Sequence, residues 1–198
     1  MTFSNQPVRY EIRQTGVGSG LLRQICSTVM VEGGSENVGK SFAVDDSSIT
    51  AQNGIFTPLL AVRVNPFTPN ISVVIKQIDV LNASNPGQSI QYGLFYNPLI
   101  TGGSLSFSPI VNTVMLSAAG NGSLSVTEGV SGYKLITGYA GAGSGIQSTL
   151  QAASDLAGDL ARLGTGIRGD PDTIVLAARG LGNTASNIYG SMNLLEKA

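Results

Sequence analysis

The turns constrain this chain more than any other feature of its sequence. Asn65-Pro66, the stretch Asn82 to Gly87, Asn97-Pro98 and Ala119-Gly120-Asn121-Gly122 interrupt it at short intervals. Between them lie apolar, β-branched runs that recur about every ten residues: Leu59–Val64, Ile71–Leu81, Ser89–Tyr96, Val111–Leu116, Tyr133–Tyr139, Thr173–Ala178 and Ser186–Leu194. Earlier, Ile25–Val31 reads as a strand, and Phe42 and Val44 alternate with polar neighbours before Ile49-Thr50. Many short strands at this spacing predict a mainly β protein, an antiparallel β-sandwich of jelly-roll-like kind. One stretch departs from the period of two. Across residues 146–163, Ile146, Leu150, Ala153, Leu156, Ala157, Leu160 and Leu163 fall at steps of three and four, which predicts one short helix stopped by Gly164. Residues 1–20 are polar, with apolar positions at Val8, Tyr10 and Ile12, and end in Gly16-Val-Gly18-Ser-Gly20. They read as a flexible arm before a single β domain at 21–198.

Charge is scarce. Charged residues make up 12% of the 198, against the usual share of roughly 25%. Residues 80–127 contain no Asp, Glu, Lys or Arg, 48 positions in a row. That stretch holds Tyr92, Phe95, Tyr96, Leu99 and Phe107. Charge keeps surfaces apart, so the stretch predicts a largely neutral subunit interface carried by those five residues. The competing explanation is a buried pair of strands joined by Ser- and Gly-rich loops.

Several function classes are excluded. The net charge of −1 offers no basic stripe to neutralise phosphates, so no nucleic-acid partner is expected. Apolar runs are far short of the roughly 20 residues that span a bilayer, and the first ten residues read as no secretory signal, so no membrane partner is expected. The absence of histidine removes the commonest general base, the Ser-His-Asp triad and His-ligated zinc. The single Cys26 has no partner for an internal disulfide and reads as a small buried hydrophobe.

One catalytic motif is complete in letters. Gly34-Ser-Glu-Asn-Val-Gly39-Lys40-Ser41 fits the phosphate-loop pattern G-x-x-x-x-G-K-S/T. Such a loop works only where it opens a helix whose N-terminus cradles phosphates. The residues after Lys40 alternate like a strand and then turn at Asp45-Asp46-Ser47-Ser48. The apolar strand that should present a magnesium-binding Asp is broken by Lys76 and Gln77 before Asp79. The motif therefore reads as a loop between two strands, and a nucleotide hydrolase is the least favoured alternative. Gly141-Ala-Gly143-Ser-Gly145 reads as a joint, and Asp170-Pro-Asp172 reads as a turn before a strand rather than half of a calcium site or a carboxylate pair. The Asn-x-Ser triplets at Asn70, Asn82 and Asn121 read as chance in an Asn- and Ser-rich chain. No catalytic residue, cofactor or metal site is assigned.

Five stretches in order, TPLLAVRVNP (57–66), SIQYGLFYNPLITGG (89–103), KLITGYAGAG (134–143), PDTIVLAARG (171–180) and ASNIYGSMNLLEK (185–197), resemble a broad group of tailed-bacteriophage virion structural proteins. The shared pattern is an LxxRxxP strand, an xNPxLTG turn, a GY strand end, a D-x-L-x-L-x-A strand and a closing strand ending in Glu. That closing strand usually carries a tryptophan, where this chain has Leu194. The resemblance covers about residues 55–197 and implies a β-sandwich virion component. It implies a symmetric homo-oligomer such as a trimer and leaves the position in the virion open; the β-rich body, neutral surface, uncharged middle and arm suit a capsid decoration (cement) or head accessory protein, with the major capsid protein or other virion proteins as partners. It carries over no catalytic residues. A tail, baseplate or fibre position is the alternative, with Tyr92, Tyr96, Tyr133 and Tyr139 as the aromatic residues able to meet host glycans.

Overall fold

The computed structural model describes residues 39–46, 48–67, 72–83, 88–141, 146–148, 162–163 and 170–197. All belong to the compact unit Val38–Ala198. The arm expected at 1–20 and the strand expected at Ile25–Val31 lie outside the described residues.

Fourteen strands account for the regular structure described, and every ladder between them is antiparallel. The first sheet runs β1 (Lys40–Asp45), β14 (Ser186–Lys197), β4 (Ser72–Asn82), β11 (Ile146–Ser148); β2 (Ile49–Ala51) also pairs with β14, and β12 (Arg162–Leu163) with β4. The second sheet runs β10 (Tyr133–Gly141), β5 (Ser89–Tyr96), β13 (Thr173–Gly180), β3 (Thr57–Val64), β8 (Met115–Ala119), β7 (Ser108–Pro109). A two-stranded ribbon joins β6 (Leu99–Thr101) to β9 (Ser125–Thr127). The chain passes between the two large sheets at β2–β3, β3–β4, β4–β5, β10–β11, β12–β13 and β13–β14.

The two large sheets share one buried cluster. Val44, Ile75, Ile78, Val80, Met192 and Leu194 of the first meet Leu60, Val62, Tyr92, Leu94, Ile174 and Leu176 of the second. The period-two alternation that predicted the strands sets this face. In β4 the alternation slips once: Ile75 pairs with Leu194 and Gln77 with Asn193, leaving Lys76 as the extra residue of a bulge. The bulge lets Ile75 and Ile78 both point inward while Lys76 stays exposed. At Gly190 of β14 the sheets come close, since an added Cβ would lie 3.0 Å from a Leu176 methyl and 3.3 Å from one of Leu59. Asn82, buried at the end of β4, donates its side-chain amide to the carbonyls of Gln88 and Ala140, tying β4 to β10.

The bounds of two expected elements are corrected. The helix over 146–163 is a strand at both of its described ends, Ile146–Ser148 and Arg162–Leu163, each hydrogen-bonded to β4; residues 149–161 lie outside the described residues. At these two ends the edge of the eleven-residue β4 offers backbone partners that a strand satisfies. The strand expected at Val111–Leu116 begins only at Met115. Asn112 takes a positive φ of 59° and Thr113 donates to the Ile110 carbonyl, so the start of that apolar run is a reversal into β8.

The close approach at Gly190 gives a test of the packing. Gly190→Val should destabilise the protein by about 1–3 kcal/mol, because the new methyls would enter a filled space. A lowered urea midpoint with unchanged slope is the expected reading; an unchanged midpoint would mean the sheets do not pack there.

Candidate interaction surface

The second sheet is apolar on both faces. β3 alternates Leu60 and Val62, which face the first sheet, with Ala61, which faces away. β13 does the same with Ile174 and Leu176 against Val175 and Ala177. The outward set cannot remain in water, and the uncharged stretch covers it. Phe56, Phe95 and Val126 pack there with Ile100, Leu105 and Phe107, which arrive from the loop and ribbon between β5 and β9. Phe56 and Phe95 meet edge to face, with ring centroids 5.0 Å apart and planes at 70°. The part of the uncharged stretch from Asn97 to Phe107, together with β9, is therefore a lid over the chain's own sheet.

The lid turns at Asn97. Its φ is 45°, its backbone N–H donates to the Thr173 carbonyl at 2.8 Å, its side-chain oxygen accepts from the Thr173 N–H at 2.7 Å, and its amide donates to Asp172 Oδ1 at 3.1 Å. Asn tolerates this left-handed conformation better than most residues. The returning chain lies against the same corner. Gly132 has φ 67°, and a Cβ there would fall 2.1 Å from the Tyr96 carbonyl oxygen. Tyr96 stacks on Tyr133 at 5.1 Å. Burial, then the hydrogen bond to Asp172 and its charge, push the Tyr96 hydroxyl well above the usual tyrosine range.

Cations of this outer face lie on aromatic rings. The Arg63 guanidinium sits 4.0 Å above the Phe107 ring, and its buried Nε has no hydrogen-bond partner among the described residues. Arg179 lies 4.5 Å and Lys134 4.8 Å from the Phe56 centroid. Glu128 is the first charge after the uncharged stretch and pairs with both, at 2.5 Å to Lys134 and 3.6 Å to Arg179. Arg179 also donates through Nε to Gln91 Oε1 at 2.8 Å, and Gln91 donates to Thr137 Oγ1 and the Tyr139 hydroxyl. These half-exposed pairs contribute little apiece, but they pin the end of the lid to β10 and β13.

The five residues predicted to form an interface do not make one patch. Tyr92 is 1% exposed and faces the first sheet, its ring against Gly138; Phe95 is 3% exposed under the lid. Neither offers surface to a neighbour, because a buried strand pair needed them first. Tyr96 and Phe107 are half-buried in the corner and beneath Arg63, and Leu99, 39% exposed, lies on the ribbon. The exposed apolar residues of this region are instead Val111, Val130, Tyr133 and Tyr139, with Leu99. Strand alternation in β10 could have flagged Tyr139; nothing local marks Val111 or Val130. A recess of about 420 Å³ opens between the lid and β13, with Asn97, Leu99, Leu105, Phe107, Thr173 and Val175 on its walls. It carries no ionisable side chain, and Asn97 is already committed to Thr173 and Asp172.

The phosphate-loop letters have a structural use. Lys40 opens β1, so a strand follows where a helix N-terminus is needed, and its ammonium donates to the Asn112 carbonyl. A Cβ on Gly39 would lie 2.3 Å from the Glu196 carbonyl oxygen, so the glycine is required by close approach to β14. Asp172 serves the Asn97 corner. Asp45, Asp46 and Asp79 border a smaller recess of about 220 Å³ beside Tyr189, where Gln77 donates to both oxygens of Asp79. Among the described residues no group of three His, Cys, Asp or Glu has metal-binding geometry. Asn82 is 3% exposed with its amide engaged, so its Asn-x-Ser triplet is out of reach of a modifying enzyme in the folded chain.

Two predictions follow from the corner and from Lys40. Tyr96 has a folded pKa above its unfolded value near 10, so its contribution is present below pH of about 10 and is lost as pH rises toward the folded value. An ultraviolet titration should show one tyrosinate forming late, and Tyr96→Phe should remove that step and flatten the alkaline loss of stability. Titration with magnesium-ATP should show no saturable binding; saturable binding abolished by Lys40→Ala would overturn the structural role given to Gly39 and Lys40.

No protein-family model, curated protein or solved structure matches this chain.

Proposed function

We propose that this chain is a non-enzymatic structural protein of a tailed-bacteriophage virion, a capsid decoration or head accessory protein that acts through symmetric contacts between its own copies. In this reading the two large sheets form a β-sandwich of jelly-roll-like kind, the copies associate as a trimer, and the assembly seats on the major capsid protein or another virion protein. The observation that carries it is the use made of the residues behind the resemblance. Arg63 of LxxRxxP caps Phe107, Asn97 of the NP turn and Asp172 of the D-x-L strand tie one corner, and Glu196 of the closing strand accepts from the Val114 N–H at 3.0 Å. Each motif residue holds the body together, as expected of a family whose shared pattern is architectural. Exposed Val111, Val130 and Leu99 supply the kind of apolar contact such assembly needs.

The exposed Tyr133, 56% accessible and backed by Tyr96, favours one second reading: a tail, baseplate or fibre component that offers a neutral aromatic surface to host glycans.

Light scattering on the purified full chain should give a closed oligomer, with a trimer the expected mass; a monomer at high concentration would remove the basis for symmetric contacts. Gold-labelled antibody on intact particles should mark the head, whereas label confined to the tail would select the second reading. Deleting residues 1–20 should leave a folded β protein that no longer decorates particles, and normal occupancy by the truncated chain would show that the arm plays no part in attachment.

A further inference from the structure

The chain contains two Asn-Gly pairs, Asn53-Gly54 and Asn121-Gly122, and the fold treats them differently. Asparagine is thermolabile, and most so before glycine: the glycine nitrogen can attack the asparagine Cγ with no side chain in its way. Both asparagines are exposed, so water reaches both alike. What differs is the glycine nitrogen. The Gly54 N–H donates to the Gly180 carbonyl at 3.0 Å, the Gly180 N–H donates to the Gln52 carbonyl at 3.0 Å, and Asn53 bridges Gly180. That pair is stitched to the end of β13, and attack by Gly54 has to break its bond first. The Gly122 N–H makes no hydrogen bond among the described residues.

The Asn121 side chain is presented for attack. The Leu124 N–H donates to the Asn121 carbonyl at 3.0 Å, which closes a turn with Gly122 and Ser123 at its centre. Within the turn, Asn121 Oδ1 accepts from the Ser123 N–H at 3.0 Å and from the Ser123 hydroxyl at 3.1 Å. Two donors on this oxygen draw electron density from Cγ and stabilise the negative charge that gathers on Oδ1 when a nucleophile adds. The turn is braced from outside. Gln52 Nε2 donates to the Gly122 carbonyl at 3.2 Å, and the Gly120 N–H donates to the Leu59 carbonyl at 2.8 Å.

We propose that Asn121 is a self-modifying site, at which the fold promotes conversion of asparagine to aspartate and isoaspartate. The Gly122 nitrogen loses its proton to solvent and bonds to Asn121 Cγ. The Cγ–Nδ2 bond breaks, and ammonia leaves with a proton returned from solvent. Water then opens the cyclic imide at either carbonyl, and its oxygen enters the new carboxylate. Opening at the Asn121 main-chain carbonyl routes the backbone through Cγ, which is isoaspartate. The product places a carboxylate within residues 80–127, where the sequence has no charge. It does so beside the lid: Leu124, 6% exposed, ends the turn, and the Val126 N–H of β9 donates to the Phe56 carbonyl at 2.8 Å. The neutral middle of the chain therefore ages at one point.

This proposal depends on neither the oligomer nor the virion. The full chain is held in warm, mildly alkaline buffer, native and in guanidinium, and conversion at each asparagine is followed by peptide mapping with mass spectrometry. In the native chain Asn121 should convert about tenfold faster than Asn53, the factor set by one hydrogen bond of ordinary net strength. In guanidinium the two rates should converge, because the dipeptide is the same. Equal native rates, a faster Asn53, or an Asn121 that converts only in guanidinium overturns the proposal. A difference that persists undiminished in guanidinium belongs to the sequence instead of the fold and overturns it too. Ser123→Ala should slow native conversion at Asn121 and leave Asn53 as it was; an unchanged Asn121 rate overturns the part given to the hydroxyl.

Discussion

A β-sheet that is apolar on both faces must be covered twice, and most of this structure follows from that requirement. The central strands β3, β5 and β13 set apolar residues on both faces: Ala61, Phe95, Val175 and Ala177 face away from the first sheet as firmly as Leu60, Leu94, Ile174 and Leu176 face toward it. Burial of apolar area is the dominant favourable term in folding. With one face filled by the first sheet, the chain supplies the second cover from its own middle. The loop after Asn97, the β6–β9 ribbon and Phe56 form that cover. A charged residue beneath it would need a partner at every position, so the covering stretch is uncharged until Glu128.

The same requirement explains where the few charges went. Arg63, Lys134 and Arg179 stand on the outward face, among residues that have to be dry, and each lies over an aromatic ring, the latter two also paired to Glu128. Their long stems cover apolar surface while their heads reach a ring or a carboxylate. The corner at Asn97 serves the lid in the same way: Asp172, Thr173 and Gly132 hold a left-handed turn at the point where the lid leaves the sheet. On this account the residues behind the phage-protein resemblance are fasteners of a covered sheet, which is why the proposed function is architectural.

Much of the strand pattern was legible in the sequence because a pleated strand repeats every two residues and turn formers mark its ends. Ser89–Tyr96 and Thr173–Ala178 are read from their own letters, and β3, β10 and β14 differ from expectation mainly at their ends. The short strands β6, β7, β9, β11 and β12 were not legible. Two or three residues carry no period, and their backbone pairs because a longer neighbour has partners to offer. At 146–148 and 162–163, the described ends of the stretch with a helical period, strand pairing with β4 prevails for the same reason. The interface was half legible: an uncharged stretch did mark a surface that must avoid water, but local pattern could not say whether that surface meets a neighbour or the chain itself.

The sequence by itself determined that the chain is antiparallel β, that it lacks the histidine chemistry of common hydrolases, and that its neutral middle has to be shielded from water. Those properties live in composition and in neighbours two residues apart. Only the tertiary structure decided that Tyr92 and Phe95 are interior, that Gly39 serves β14 rather than a phosphate, and that Leu99, Val111, Val130, Tyr133 and Tyr139 are among the apolar groups left outside. Those outcomes depend on which strands become neighbours across long sequence separations, and no local period encodes that choice.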